Sequence, residues 1–109
     1  MAILQSAVFN YAHITTNTTA LLFTPQANNQ SSQAVLHSIT VNSKGATSNT
    51  ITVYNDVTAV AANAVAIIDS TVGQPAFLYD VKCPNGLTIV TASGTAPDIT
   101  VTWRVSSQE

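Results

Sequence analysis

The chain has 109 residues, enough for one domain with a modest core and too few for two. Charged residues make up 7% and hydrophobic residues 46%. An average soluble domain carries about 25% charge, so here Thr, Ser, Asn and Gln have taken the place of ions. With three basic residues, Lys44, Lys82 and Arg104, and a net charge of −2, neither nucleic acid nor an anionic membrane is an expected partner, since both need clustered cations.

The opening Met1 to Ser6 has neither the cationic stretch nor the apolar run of a signal peptide, and a cytoplasmic origin is expected until assembly. Cys83 has no second cysteine to pair with. Alternation of Val, Ile and Thr predicts an all-β chain of about eight short strands. The first two are expected over residues 7–13 and 20–24. The uncharged, aperiodic run TPQANNQSSQ over 24–33 then reads as a loop or arm that orders against a partner. Strands follow over 34–42 and 50–55, with SITVNS and TITVYN read as two sides of one hairpin. In the first of these, Val35, His37, Ile39 and Val41 are expected on one inward face.

Between 57 and 68 two patterns compete. Val57, Val60, Ala61, Ala64, Val65 and Ile68 fit helical spacing, whereas the β-branched content favours a loop and a strand over 65–68. Strands over 76–83, 87–92 and 97–105 complete the chain, separated by turn residues at Pro84-Asn85-Gly86 and around Gly94 and Pro97. In AFLYDVKC the inward set is Phe77, Tyr79, Val81 and Cys83. Phe77 and Trp103 are the expected large anchors of the core. Short strands at this spacing predict a single antiparallel β-sandwich or jelly-roll-like domain over residues 1–109.

Catalytic chemistry has little to work with. Asp56, Asp69, Asp80, Asp98 and Glu109 form no recognisable carboxylate pair, and Asp56 and Asp98 sit where Asp commonly caps a turn. Cys83 falls on an inward face, and one Cys with the separated His13 and His37 cannot supply a zinc site. His37 reads as a bonded core histidine or a symmetry-axis contact. Tyr11, Tyr54 and Tyr79 read as packing residues, with sugar stacking as the alternative. Neither a cofactor nor a metal is expected, and the chain is not expected to be an enzyme.

The last strand, PDITVTWRV, turns Thr100 and Thr102 away from the core where surface strands usually carry charge. Hydroxyls there keep β propensity and can meet another backbone without ion desolvation, so Thr100 and Thr102 are candidate interface residues, with Asn28, Asn29 and Gln30 of the arm.

Within residues 36–104, the succession LHSITVNSKGATSNTITVYND, AIIDS and FLYDVKCPNGLTIVTASGTAPDITVTWR resembles a pattern of small structural proteins of tailed bacteriophages; the asparagine-rich stretch before it departs from that pattern. The resemblance implies a β-sandwich virion component, a capsid decoration or cement protein that sits as a trimer on the head. It would bind between major capsid subunits and stabilise the expanded shell. It carries no catalytic residues to transfer. A tail or head-fibre module that binds a host-surface glycan through exposed Tyr and Asn is the alternative.

Overall fold

A computed structural model describes residues 9–25, 32–47, 49–72 and 76–107. Its strands are β1 (Asn10–Ile14), β2 (Thr18–Phe23), β3 (Ser32–Ser43), β4 (Thr50–Tyr54), β5 (Ala64–Asp69), β6 (Ala76–Cys83), β7 (Leu87–Ala92) and β8 (Asp98–Ser107). They form two four-stranded sheets, in the orders β1-β8-β3-β6 and β2-β7-β4-β5, and every pairing is antiparallel. Successive strands thus alternate largely between layers, the topology of an eight-stranded jelly roll. The sandwich expected from the alternation is the fold observed.

The core lies between the layers. Ala34, Leu36, Ile39, Val41, Ile99, Val101 and Trp103 from the first sheet meet Ile51, Val53, Ala66, Ile68, Leu87 and Ile89 from the second. Trp103 is buried as expected, and Phe77 packs against the cluster from the edge strand β6. Each such aliphatic side chain contributes about 1.5–3 kcal/mol by leaving water, so the alternation that makes the strands also holds the layers together.

Two sequence expectations fail for identifiable reasons. Val35, His37, Ile39 and Val41 do not share an inward face, because β3 carries an extra residue where Leu36 and Ser38 oppose the adjacent Trp103 and Thr102 of β8. That bulge shifts the phase of the pleat, so Leu36 and Ile39 both point inward and His37 is left half-exposed at the bulge. The neighbouring Asp80 on β6 takes a positive φ of 50° at the matching irregularity. The expected hairpin of SITVNS with TITVYN is also absent: β3 pairs with β6 and β8, while β4 belongs to the other sheet and pairs with β5 and β7.

The competition over 57–68 resolves as a one-turn 3-10 helix, Ala61–Asn63, leading into β5. Pairing with β4 overrides the helical preference of the alanines. The arm expected over 24–33 is shorter at its far end, since Ser32 and Gln33 already pair with Ser107 and Ser106 of β8. Asn28, Asn29 and Gln30 lie outside the described residues.

The connections at one end of the sandwich are tied together by Asn49, which is fully buried. Its Nδ2 donates to Asn17 Oδ1 at 2.7 Å and to the Ser93 carbonyl at 2.9 Å. Its own carbonyl accepts from the Ser70 amide and the Ser70 hydroxyl, each at 3.1 Å. Asn17 in turn donates to the Gly94 carbonyl at 2.6 Å. Gly45 lies so close to this cluster that a β-carbon there would stand 2.6 Å from the Thr95 carbonyl oxygen. At the other end, Thr88 donates to the Asp56 carbonyl at 2.7 Å and the Asn85 amide to Asn55 Oδ1 at 3.0 Å. Gly86 makes that contact possible: its φ is +137°, and a β-carbon would come 2.7 Å from the Asp56 carbonyl carbon.

Candidate interaction surfaces

The two outer faces of the sandwich differ in chemistry. On the first sheet, register places Tyr11, Thr102, Ser38 and Leu78 in one row across the four strands, with His13, Thr100, Thr40 and Ala76 in the next. Tyr11 and Leu78, on the two edge strands, are both 72% exposed, and between them the hydroxyls lie low. Thr100 and Thr102, the interface candidates, sit in this central floor and are half-buried. Thr102 and Ser38 share a hydroxyl hydrogen bond of 2.6 Å, and Thr100 accepts from Asn42 Nδ2 at 3.0 Å. Both hydroxyls therefore bond within the sheet.

This face also carries two His–Asp contacts. His13 Nε2 lies 2.6 Å from Asp98 Oδ1, which joins β1 to β8, and Asn42 Nδ2 donates to the same carboxylate at 3.1 Å. Those contacts, Asn42 foremost and His13 next, hold the Asp98 carboxyl below its ordinary value. His37 Nδ1 lies 2.7 Å from Asp80 Oδ1, which joins β3 to β6, and the imidazole stacks on Phe9 with ring centroids 4.3 Å apart. Each edge strand of the first sheet is thus fastened to its inner neighbour by one His–Asp contact. His37, expected in the core, works at the rim instead.

Asp56 and Asp69 cap turns. Asp56 accepts from the Thr58 amide and from Asn63 Nδ2 at 2.8 Å, and Asp69 accepts from the Thr71 amide and hydroxyl at 2.9 and 2.7 Å. These bonds lower both carboxyl pKa values. The role expected of Asp56 is observed; Asp98 bonds across strands instead of capping. Cys83 is fully buried, and burial pushes its thiol up, away from the reactive thiolate. Among the described residues, no three His, Cys, Asp or Glu side chains gather as a metal site would require.

The second sheet presents a different outer face. Thr19, Val90, Thr52 and Ile67 form a row across all four strands, flanked on one side by Leu21, Thr88, Tyr54 and Ala64 and on the other by Ala92, Thr50 and Asp69. Ile67 is 71% exposed and Leu21 51%. Asp69 is the one charged residue in these four strands, at the very end of β5. Thr100 and Thr102 belong to the other outer face, and this second one was not legible in the sequence, because alternation reveals which residues face outward without revealing which sheet each strand joins.

No family model matches the chain, and no curated protein matches it. The solved structure of a Bacillus endospore appendage, from work describing these appendages as a novel family of disulfide-linked pili, is similar at 17% sequence identity and a TM-score of 0.45, over 94% of this chain and 88% of that one. A likeness at that level bears on neither the assembly nor the activity of this chain.

Proposed function

We propose that the chain is a structural protein of a bacteriophage virion, a capsid decoration or cement subunit. In this reading it is made in the host cytoplasm, forms a trimer with copies of itself, and seats on the head between major capsid subunits. Its role is mechanical and not catalytic, without a cofactor, and neither nucleic acid nor membrane is a partner. The observation that carries the reading is the outer face of the second sheet, where Thr19, Leu21, Thr50 and Ile67 are exposed, Thr52 and Val90 are half-buried, and Asp69 is the single, peripheral carboxylate of the four strands. Such a face can be covered by a neighbouring subunit without stripping water from ions, a step that costs far more than covering hydroxyls. The pattern over residues 36–104 that resembles small tailed-phage structural proteins supports the same reading.

A subunit that binds the expanded shell and not its precursor stabilises the expanded state by mass action. Weak individual contacts suffice when a trimer makes several at once. Heads that lack the protein should release DNA at a lower temperature than complete heads, and adding the purified chain back should restore resistance. Equal resistance with and without it refutes cementing.

A second reading, a glycan-binding tail or head-fibre module, draws on Tyr11, which stands exposed beside the low hydroxyls of Thr102 and Ser38. A ring of that kind can stack on a sugar face. Binding to host surface polysaccharide that Tyr11→Ala abolishes would favour it over cementing.

A further inference from the structure

We infer that Asn85 is a site of spontaneous covalent modification, in which its side-chain amide becomes a carboxylate through a ring closed by the Gly86 nitrogen, and that the contacts of this turn with Asn55 and Asp56 set the rate. The inference does not depend on the role proposed above.

The site is selected by its neighbour and its exposure. A backbone nitrogen can attack the side-chain carbonyl carbon of the asparagine that precedes it, and a side chain on the attacking residue hinders the approach. Among the asparagines of the chain, Asn85 alone precedes a glycine. It is exposed in the turn between β6 and β7, so water and hydroxide reach it, and among the described residues its side-chain amide has no hydrogen-bond partner. Asn17, Asn42, Asn49 and Asn63 each engage their side chains in hydrogen bonds.

The chemistry needs nothing beyond water. Hydroxide takes the Gly86 amide proton, the nitrogen bonds to Asn85 Cγ, and the side-chain nitrogen takes a proton from water and leaves as ammonia, which restores the hydroxide. Water then opens the cyclic imide. Cleavage of the new bond leaves aspartate. Cleavage of the original peptide bond leaves isoaspartate, in which the main chain runs through the side chain and is a methylene longer.

The fold opposes ring closure. The ring forms only if rotation about the Asn85 Cα–C bond swings the Gly86 nitrogen toward Cγ, and Gly86 is not free to swing. It is buried at a φ of +137°, so close to its neighbours that a β-carbon would stand 2.7 Å from the Asp56 carbonyl carbon and 2.8 Å from the Val57 nitrogen. The Asn85 amide is tied to Asn55 Oδ1 at 3.0 Å, and the Thr88 hydroxyl holds the Asp56 carbonyl at 2.7 Å. Reaction therefore proceeds from the fraction of molecules in which this turn has opened. The same close fit leaves no space for a longer main chain, so isoaspartate at this position leaves the start of β7 unfastened from Asp56.

Peptide mapping of the full chain, kept at mildly alkaline pH both folded and in urea, reads the mass gain and the isoaspartate at each asparagine. Asn85 should convert before any other asparagine, and about tenfold or more slowly in the folded chain than in urea. Asn55→Ala and Thr88→Val each remove one hydrogen bond of the clamp and should each speed conversion of the folded chain by about fivefold, the weight of one such bond, with the rate in urea unchanged. Asn17→Ala, at the opposite end of the sandwich, should leave the folded rate as it is. In the purified isoaspartyl form, amide hydrogen exchange should quicken at the start of β7. Conversion as fast in the folded chain as in urea, a folded rate that neither clamp variant alters, or another asparagine converting first overturns the inference.

Discussion

At the scale of single residues, a neutral amide joins more of the chain's connections than either His–Asp contact does. Asn49 donates to Asn17 and Ser93 and accepts from Ser70, so four chain connections depend on one buried side chain and its carbonyl. Asn49→Ala removes the donors and leaves Asn17 Oδ1 and the Ser93 carbonyl without them. An expected loss of about 2–3 kcal/mol follows, visible as a lower urea midpoint. The hydrogen-bonded carboxylates act through pH. Asp56, Asp69 and Asp98 all have carboxyl pKa values lowered from 3.8 in the fold. Their stabilisation is complete above the unfolded value and is lost as pH falls through the lower, folded values. The thermal midpoint should therefore drop as the solution is acidified below 3.8, and Asp98→Asn should make that drop shallower, since its carboxyl would no longer titrate. A slope unaltered by Asp98→Asn would show that the Asn42 and His13 contacts contribute nothing.

At the scale of elements, alternation reveals the strands and the inward faces of β6 and β8, but neither the phase of β3 across its bulge nor the strand partners. β6 and β7 begin and end where the pattern predicts, because the alternation of one and the β-branched run of the other are bounded by Pro, Asn and Gly. The β3 bulge was invisible for a simple reason: His37 occupies a period-two position, and an inserted residue changes pairing without changing composition. Asn49 was equally hidden, since Asn in TSNT looks like any surface turn and its burial depends on three distant connections. The wealth of hydroxyls was legible as a composition; that they fall on two separate outer faces required knowing which strands are neighbours. The bulge carries its own expectation. His37 holds the edge strand β6 through Asp80, a partly exposed contact worth about 0.5–1 kcal/mol at most. His37→Ala should speed amide hydrogen exchange in β6 and leave β1, fastened separately by His13, unchanged; equal acceleration in both strands would contradict independent fastening.

At the scale of the whole molecule, the two layers enclose one core that includes Cys83, opposite Ala34 on the edge of the first sheet. With no exposed surface and a thiol pushed up by burial, Cys83 should resist thiol reagents in the native protein and react only as the sandwich opens. Labelling measured against denaturant should then follow the global unfolding transition. Rapid labelling in dilute buffer would mean that β6 detaches locally while the rest stays folded.

The Asn49 cluster gives the sandwich a bound edge, as a spine does a book. Turns on the Asn49 side are stitched to one another across both layers, so prying the layers apart from that side must tear several hydrogen bonds at once. A force that prises the layers apart would meet most resistance at the stitched edge, where several hydrogen bonds share the load, and least at the opposite one.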